Sequence, residues 1–389
     1  MDIKEILWYD QTNNNSILNL ITSILKYYNV ESKYNSLPEI DEILKKDYNN
    51  VVLLILDGMG ENILNELNEN ELFRKNKIKT ITSVYPTTTA AAMTTYYAGK
   101  PPIETGWIAW SQYFKEFGRN INLLPWVDSY TGEKIKVPNL TRTDIIGYKN
   151  IYEQIKEKNE DVKVYEVSPD YCDQKTKISI DAKEMDEISE ALEMLCKNKD
   201  KKFVLVYSDN PDGLIHKYGC KSEEVKEFLE NAQNELTKLI EKIKDTNTLI
   251  LISSDHGHKD IEETVSILDL PEIYNCLQMP PTFEGRMVGF FVKENCKQDF
   301  ERLFKKKFKD KFLLYTKEEF LNSKLLGEGE PHKKIDDFVG DYVAISTSGT
   351  RILIENYLTV ANGKIDNKVS THCGLTKEEL EVPIIKIEI

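Results

Sequence analysis

Four short runs carry side chains able to hold a metal ion: Asp57-Gly58, Asp209-Asn210-Pro211-Asp212 through His216, Asp255-His256-Gly257-His258, and Ser370-Thr371-His372-Cys373-Gly374. Taken singly, each has an ordinary structural meaning. Asp-Gly is a common turn, Asp212 and His216 at i, i+4 suit an exposed pair on a helical turn, and a lone His372 suits a hydrogen-bonded loop. Asp255-His256 is harder to dismiss, because an acid and an imidazole at the end of a buried strand are costly unless partnered. Asp57, Asp212, Asp255, His216, His256 and His372 together are three carboxylates and three imidazoles, a mixed oxygen and nitrogen donor set suited to zinc or manganese rather than calcium. Such a set is about right for two divalent ions. A pair of ions can hold the attacking and leaving oxygens of an in-line displacement at phosphorus and generate a nucleophile at neutral pH.

A covalent route also needs a side-chain nucleophile. The run Ser83-Val84-Tyr85-Pro86-Thr87-Thr88-Thr89-Ala90-Ala91-Ala92-Met93-Thr94-Thr95 ends a strand at Pro86 and begins an Ala-rich helix. A threonine at that junction sits at a helix N-terminus, where free N–H groups and the dipole favour an alkoxide and the phosphate it attacks. On its own such a threonine reads as an N-cap. Beside six metal-capable residues it reads as a nucleophile, with Thr87, Thr88 and Thr89 all open.

The elements that must position these groups are short β-branched and aliphatic runs: Val51–Leu56, Thr80–Val84, Val162–Val167, Phe203–Tyr207, Thr248–Ser253 and Val382–Ile387. Near-continuous apolar strands suit a sheet covered on both faces. Val225, Phe228, Leu229, Ala232, Leu236, Leu239, Ile240 and Ile243 share one helical face just before the Thr248 strand, so strand, helix and strand alternate. The expected fold is α/β: a doubly wound, mostly parallel sheet flanked by helices. In such sheets ligands bind at the carboxyl edge of the strands, and Asp57, Asp212 and Asp255 each follow one. Residues 272–338 change pattern, with strand-like Met287–Val292, helical Gln298–Lys307 and strand-like Phe312–Tyr315, and read as a small α+β insert subdomain. The catalytic core is then 1–271 and 339–389, the main sheet resuming at Tyr342–Ser346 and Arg351–Ile354, and an aromatic stretch at about 100–140 caps it.

At 389 residues with 40% hydrophobic and 30% charged content, the chain has room for a large core and an enzyme. A formal net charge of −14 argues against binding to a nucleic-acid polymer or an anionic membrane, so a phosphate site needs local positive charge that bound metal can supply. Lys305, Lys306, Lys307, Lys309 and Lys311 read as the wet face of a helix. Met1-Asp2-Ile3-Lys4-Glu5 lacks the basic start and apolar run of a signal peptide, so a soluble cytoplasmic protein is expected. Cysteines 172, 196, 220, 276, 296 and 373 lack any CxxC pair and are expected as free thiols.

The ordered set of motifs resembles the type I phosphodiesterase/nucleotide pyrophosphatase branch of the alkaline phosphatase superfamily. The residues that carry the resemblance are Leu56-Asp57-Gly58, Pro86-Thr87-Thr88-Thr89, Asp212 to His216, Ser254-Asp255-His256-Gly257, His372, and the closing Gly374-Leu375-Thr376 to Val382-Pro383-Ile384-Ile385. The resemblance implies one metal on Asp212, His216 and His372, and a second on Asp57, Asp255 and His256 with Thr89 Oγ beside it. Its Pro-x-x-Thr register selects Thr89 to attack phosphorus and carry a phospho-threonine intermediate. Two divalent metal ions, zinc or manganese, and a small phosphoester substrate, a nucleotide among the candidates, follow from it. The pattern departs at one place: aligning the family's glycine with Gly106 puts Trp110 where an Asn helps hold the phosphoryl oxygens, and no Asn occurs before Asn120. Stabilisation must then come from the metals, the Thr89 N–H or another side chain. Trp107, Trp110, Tyr113, Phe114, Phe117 and Trp126 either stack on a flat substrate group or form a packed cap. His258 and His332 fall outside the implied ligand set and read as structural or surface residues. A phosphomonoesterase or phosphomutase on the same scaffold is the nearest alternative, and a noncatalytic metal-bound module the more distant one. A sulfatase is disfavoured, since no Cys-x-Pro-x-Arg or Ser-x-Pro-x-Arg signal occupies the nucleophile segment.

Overall fold

A computed structural model describes residues 15–137, 140–169, 179–354 and 366–389. The Met1–Glu5 terminus and Cys172 lie outside them. Seven strands form the main sheet in the order Lys77–Thr82, Glu381–Glu388, Thr248–Ser253, Asn50–Leu56, Lys202–Ser208, Lys163–Ser168 and Ser179–Asp181. The four pairings among the last five of these are parallel; Glu381–Glu388 runs antiparallel to both its neighbours. All six apolar runs read from sequence are strands of this sheet.

The continuous apolar character of the central strand follows from its two faces. Val51, Leu53 and Ile55 point into one core with Ile17, Ile21, Ala92, Met93 and Ile151. Val52, Leu54 and Leu56 point into the other with Ile188, Leu192, Leu229 and Leu236. Both faces are dry, so period-two alternation has no polar half. The Ile17–Tyr27 and Thr89–Ala98 helices cover the first face, and Met185–Lys197 and Glu223–Lys242 the second.

A second, antiparallel sheet pairs Thr282–Glu284, Met287–Phe290, Tyr342–Ser346 and Phe312–Thr316 in that order. This corrects the sequence reading of Tyr342–Ser346, which belongs here and not to the main sheet, so the second sheet reaches past residue 338. Thr350–Leu353 likewise pairs in parallel with Glu263–Ser266, away from the main sheet. Buried apolar runs look alike in either sheet; long-range pairing decides between them. The 100–140 stretch holds a three-stranded antiparallel sheet of Ser111–Phe114, Arg119–Asn122 and Val127–Asp128. A fully buried ion pair, Arg286 Nε to Glu379 Oε1 at 2.6 Å with Nη2 to Oε2 at 2.7 Å, ties the turn after Thr282–Glu284 to the helix preceding the last main-sheet strand. Among the described residues no helix is long and apolar enough to cross a membrane.

Candidate active site

Asp57, Asp212 and Asp255 follow the ends of adjacent parallel strands, Asn50–Leu56, Lys202–Ser208 and Thr248–Ser253, which is why residues so distant in sequence meet. Gly58 permits the crossing. Its φ is +75°, and a Cβ there would lie 3.0 Å from both the Asp212 Cα and the His258 ring, so any larger residue would push the carboxylates apart.

The Thr89–Ala98 helix starts beside these strand ends, with extended Thr88 as N-cap and left-handed Gly99 closing it. Of the three threonines, Thr87 Oγ1 donates to the Gly374 carbonyl at 3.0 Å. Thr89 Oγ1 instead lies 3.3 Å from Asp57 Oδ2 and 3.2 Å from His256 Nε2. Tyr207 OH donates to the same Asp57 oxygen.

The three implied histidine ligands share one feature. His216 Nδ1 is 2.8 Å from the Ser370 carbonyl, His256 Nδ1 is 3.2 Å from the Gly257 carbonyl, and His372 Nδ1 is 3.0 Å from the Thr87 carbonyl. A carbonyl only accepts, so each Nδ1 carries a proton, and in the neutral ring Nε2 then keeps its lone pair. These lone pairs converge on carboxylates: His256 Nε2 is 3.3 Å from Asp255 Oδ2 and 3.5 Å from Asp57 Oδ1, while His216 and His372 Nε2 are 3.4 and 3.7 Å from Asp212 Oδ1. Asp57 Oδ1 and Asp255 Oδ2 are buried with no hydrogen-bond partner. Burial, and then Asp255 and Asp212, push the Asp57 carboxyl well above its usual range. Burial presses on Asp212 as well, but His216, His258 and His372 hold it well below. Burial likewise pushes the His216 imidazole down to about 3. Orphaned carboxylate oxygens facing imidazole Nε2 atoms are the environment a divalent cation resolves, so the donor set fits metal.

Of the two roles read for His258, structural or surface, the structure supports the first. Far from the surface, it is completely buried at the centre of the cluster, and its ligand atom groups within 4.8 Å of those of Asp212, His256 and His372. Its protonation is opposite to that of the other three. Nε2 lies 2.7 Å from Asp212 Oδ1 and Nδ1 lies 3.3 Å from Ser370 Oγ, so the ring donates to Asp212 and accepts from Ser370. It braces a carboxylate to the Ser370–Thr371 strand that leads into His372. The Ser-Asp-His-Gly-His spacing was a signal for it, though spacing does not tell ligand from brace. His332 stacks on Phe338 under Gly106, away from the cluster.

Two cavities meet at Thr89 and Asp212. One, of about 430 Å³, is polar, with His216 and His372 joined by Asn120, Glu284 and Lys368 on its walls. The other, of about 400 Å³, is aromatic, with Tyr97, Trp107, Tyr148 and Tyr207 beside Asp57 and Asp209. Trp110 lines both. Trp107 and Trp110 therefore face the site, whereas Phe114, Phe117 and Trp126 pack on one another at centroid distances of 5.4–6.1 Å, and Tyr113 packs on Phe291. Glu284 and Lys368 went unnoticed in the sequence. Glu284 Oε1 accepts the Trp110 N–H at 2.6 Å, and Lys368 Nζ stands 3.1 Å from His216 Nε2. Neither sits in a recognisable motif.

Residues 51–367 match the profile described as type I phosphodiesterase/nucleotide pyrophosphatase. The chain belongs to that family. It is thus a hydrolase of phosphoric ester bonds within the alkaline phosphatase superfamily. No curated protein matches it. Among solved structures, murine ectonucleotide pyrophosphatase/phosphodiesterase 5 superposes with a TM-score of 0.62 at 16% identity, covering 86% of this chain and 87% of that one. An inactive variant of the murine protein has been solved in complex with AMP, at TM-score 0.62, 15% identity and 87% coverage of each chain. Phosphonoacetate hydrolase from Sinorhizobium meliloti 1021, in complex with phosphonoformate, gives 0.63 at 15% identity, with 86% and 89% covered. At such identities these neighbours establish the fold, an α/β sheet flanked by helices.

Proposed function

We propose that this hydrolase cleaves phosphodiesters, nucleotide anhydrides included, through a covalent phospho-Thr89 intermediate at a two-metal site. The observation that carries the reading is the set of three histidines whose Nδ1 protons are spent on backbone carbonyls, leaving Nε2 lone pairs against Asp57, Asp212 and Asp255 with the Thr89 hydroxyl alongside. Asp212, His216 and His372 would hold one divalent ion, and Asp57, Asp255 and His256 the other, zinc or manganese by donor type. Bound there, the ions would supply Lewis acidity for the hydroxyl and for the charge that builds on the phosphoryl oxygens.

The chain's own groups do the rest. Thr89 is the first residue of its helix, so the helix dipole favours negative charge at the attacking oxygen. As its Oγ1 bonds to phosphorus, the bond to the leaving oxygen breaks; water then cleaves the phospho-Thr89 ester and restores the hydroxyl. Asp57 Oδ2, 3.3 Å from that hydroxyl, is the proton acceptor beside it, while Asp57 Oδ1 is left for the ion. Trp110 offers no short amide where the resemblance implies an Asn, and the Lys368 ammonium on the cavity wall is the cation placed to approach the phosphoryl group.

Two cavities sharing Thr89 and Asp212 favour a phosphorus bearing two substituents, hence a diester over a monoester. The aromatic chamber suits a flat group such as a nucleobase. AMP in a structural neighbour is in keeping with this; phosphonoacetate hydrolase on the same fold shows that the fold alone does not choose the bond. The test is turnover of bis-p-nitrophenyl phosphate against p-nitrophenyl phosphate by zinc- and manganese-loaded protein, with Thr89→Ala alongside. The expected result is diester preference, lost in Thr89→Ala while both metals stay bound. Full diesterase activity in Thr89→Ala would overturn the covalent route.

A further inference from the structure

The polar chamber contains a hydrogen-bond acceptor with nothing to accept. Asn120 is 5% exposed, and its Oδ1 has no partner. The orientation of its amide is settled by its neighbours. Ser111 Oγ spends its one proton on the Phe283 carbonyl at 2.7 Å, so toward Asn120 it can only accept, and Asn120 Nδ2 donates to it at 3.2 Å. Oδ1 is left without a donor, on a residue that lines the same cavity as Thr89. Ser129, whose N–H is bonded to the Asn120 carbonyl at 2.9 Å, lines the same cavity, and its Oγ is also buried and unpartnered. A buried polar atom without a partner costs free energy, and an amide oxygen and a hydroxyl so left, on residues that line the same cavity as the nucleophile, mark a place where a ligand supplies the donors.

We infer that this chamber is a subsite for a hydroxylated group of the substrate, a sugar or glycerol, whose O–H groups bond to Asn120 Oδ1 and Ser129 Oγ. An ammonium could also donate, but Arg351 is paired with Asp366, Asp212 is a proposed metal ligand, and Glu284 is offset by Lys368, so the cavity lining holds no net charge for a cation. A neutral polyol remains. The inference rests on the diesterase reading and extends it, dividing the substrate into a flat group held by the aromatic chamber and a polyol held by the polar one.

The experiment compares kcat/KM of the metal-loaded full chain for p-nitrophenyl glyceryl phosphate and p-nitrophenyl propyl phosphate, which differ only in hydroxyls, with a ribosyl ester in parallel. A site built to bond hydroxyls discriminates against the analogue lacking them, so a preference of about tenfold or more is expected for the glyceryl or the ribosyl ester, whichever polyol fits. In Asn120→Leu and in Ser129→Ala that ratio should fall toward one; Ser129→Ala, the smaller change, carries the test where Asn120→Leu fails to fold. Equal turnover of all three esters by the wild-type chain, or a ratio unmoved in the variants, overturns the polyol subsite and leaves the diesterase reading standing. No turnover of any ester overturns the diesterase reading itself.

Discussion

Removing His258 should weaken the metal site without removing a ligand. Its Nε2–H donates to Asp212 Oδ1 at 2.7 Å while Ser370 Oγ lies 3.3 Å from Nδ1. The Ser370 backbone carbonyl in turn orients His216. One ring therefore connects the carboxylate and the strand behind two of the proposed ligands. His258→Ala deletes a hydrogen bond to a charged group, worth roughly 1.5–3 kcal/mol. Partners that orient metal ligands typically contribute about 10–100-fold in metal affinity, which is about 1.4–2.7 kcal/mol, so the two magnitudes agree. The prediction is that chelator competition finds two metal equivalents in the wild-type chain, and that His258→Ala binds the one proposed for Asp212, His216 and His372 about 10–100-fold less tightly. His258→Gln keeps an N–H donor and should recover most of the loss. Unchanged affinity in His258→Ala would refute the bracing role; if His258→Gln were as weak as His258→Ala, the ring would be a direct ligand and the tautomer deduced from its partners would be wrong.

Three further outcomes follow from the packing and the charges. Metal should raise Tm, by about 2.7 kcal/mol of stability at a hundred times Kd, and Asp57→Asn should raise the metal-free Tm while abolishing the metal response, because Asp57 is pushed up by burial and by Asp255 and Asp212. The buried Glu166 carboxyl, bonded by Tyr97 OH at 2.8 Å, is held above its ordinary range by burial. A raised acid pKa stabilises the fold below the unfolded pKa of about 4.3 and loses that contribution as pH rises through the folded pKa, so Glu166→Gln should melt higher than wild type at neutral pH, with the gap closing in acid melts. Arg286→Met leaves Glu379 buried and unpaired, a loss of about 3–5 kcal/mol, and denaturant unfolding should show much of it restored in Arg286→Met/Glu379→Met.

The sequence by itself marked six of the seven main-sheet strands and the residues proposed for the cluster. Strands dry on both faces must be continuously apolar, so Val51–Leu56 and its companions were legible as strands, and acidic residues directly after them could only gather at one edge once the strands ran parallel. The order Asp57, Thr89, Asp212, His216, Asp255, His256, His372 also carried the family. Tertiary structure alone decided the remainder. Whether an imidazole offers a lone pair or a proton depends on what its other nitrogen meets, and for His216, His256 and His372 that is a carbonyl, whereas His258 meets the Ser370 hydroxyl. Which of three adjacent threonines faces the carboxylates depends on how the helix enters, since Thr87 is spent on Gly374. Tyr342–Ser346 is as apolar as any core strand, and only its pairing with Met287–Phe290 and Phe312–Thr316 placed it in the second sheet. That sheet delivers Glu284 to Trp110, and the cap delivers Asn120 to the same cavity. Contacts between segments far apart in the chain leave no local pattern, which is why the walls of the site, unlike its floor, could not be read from the sequence.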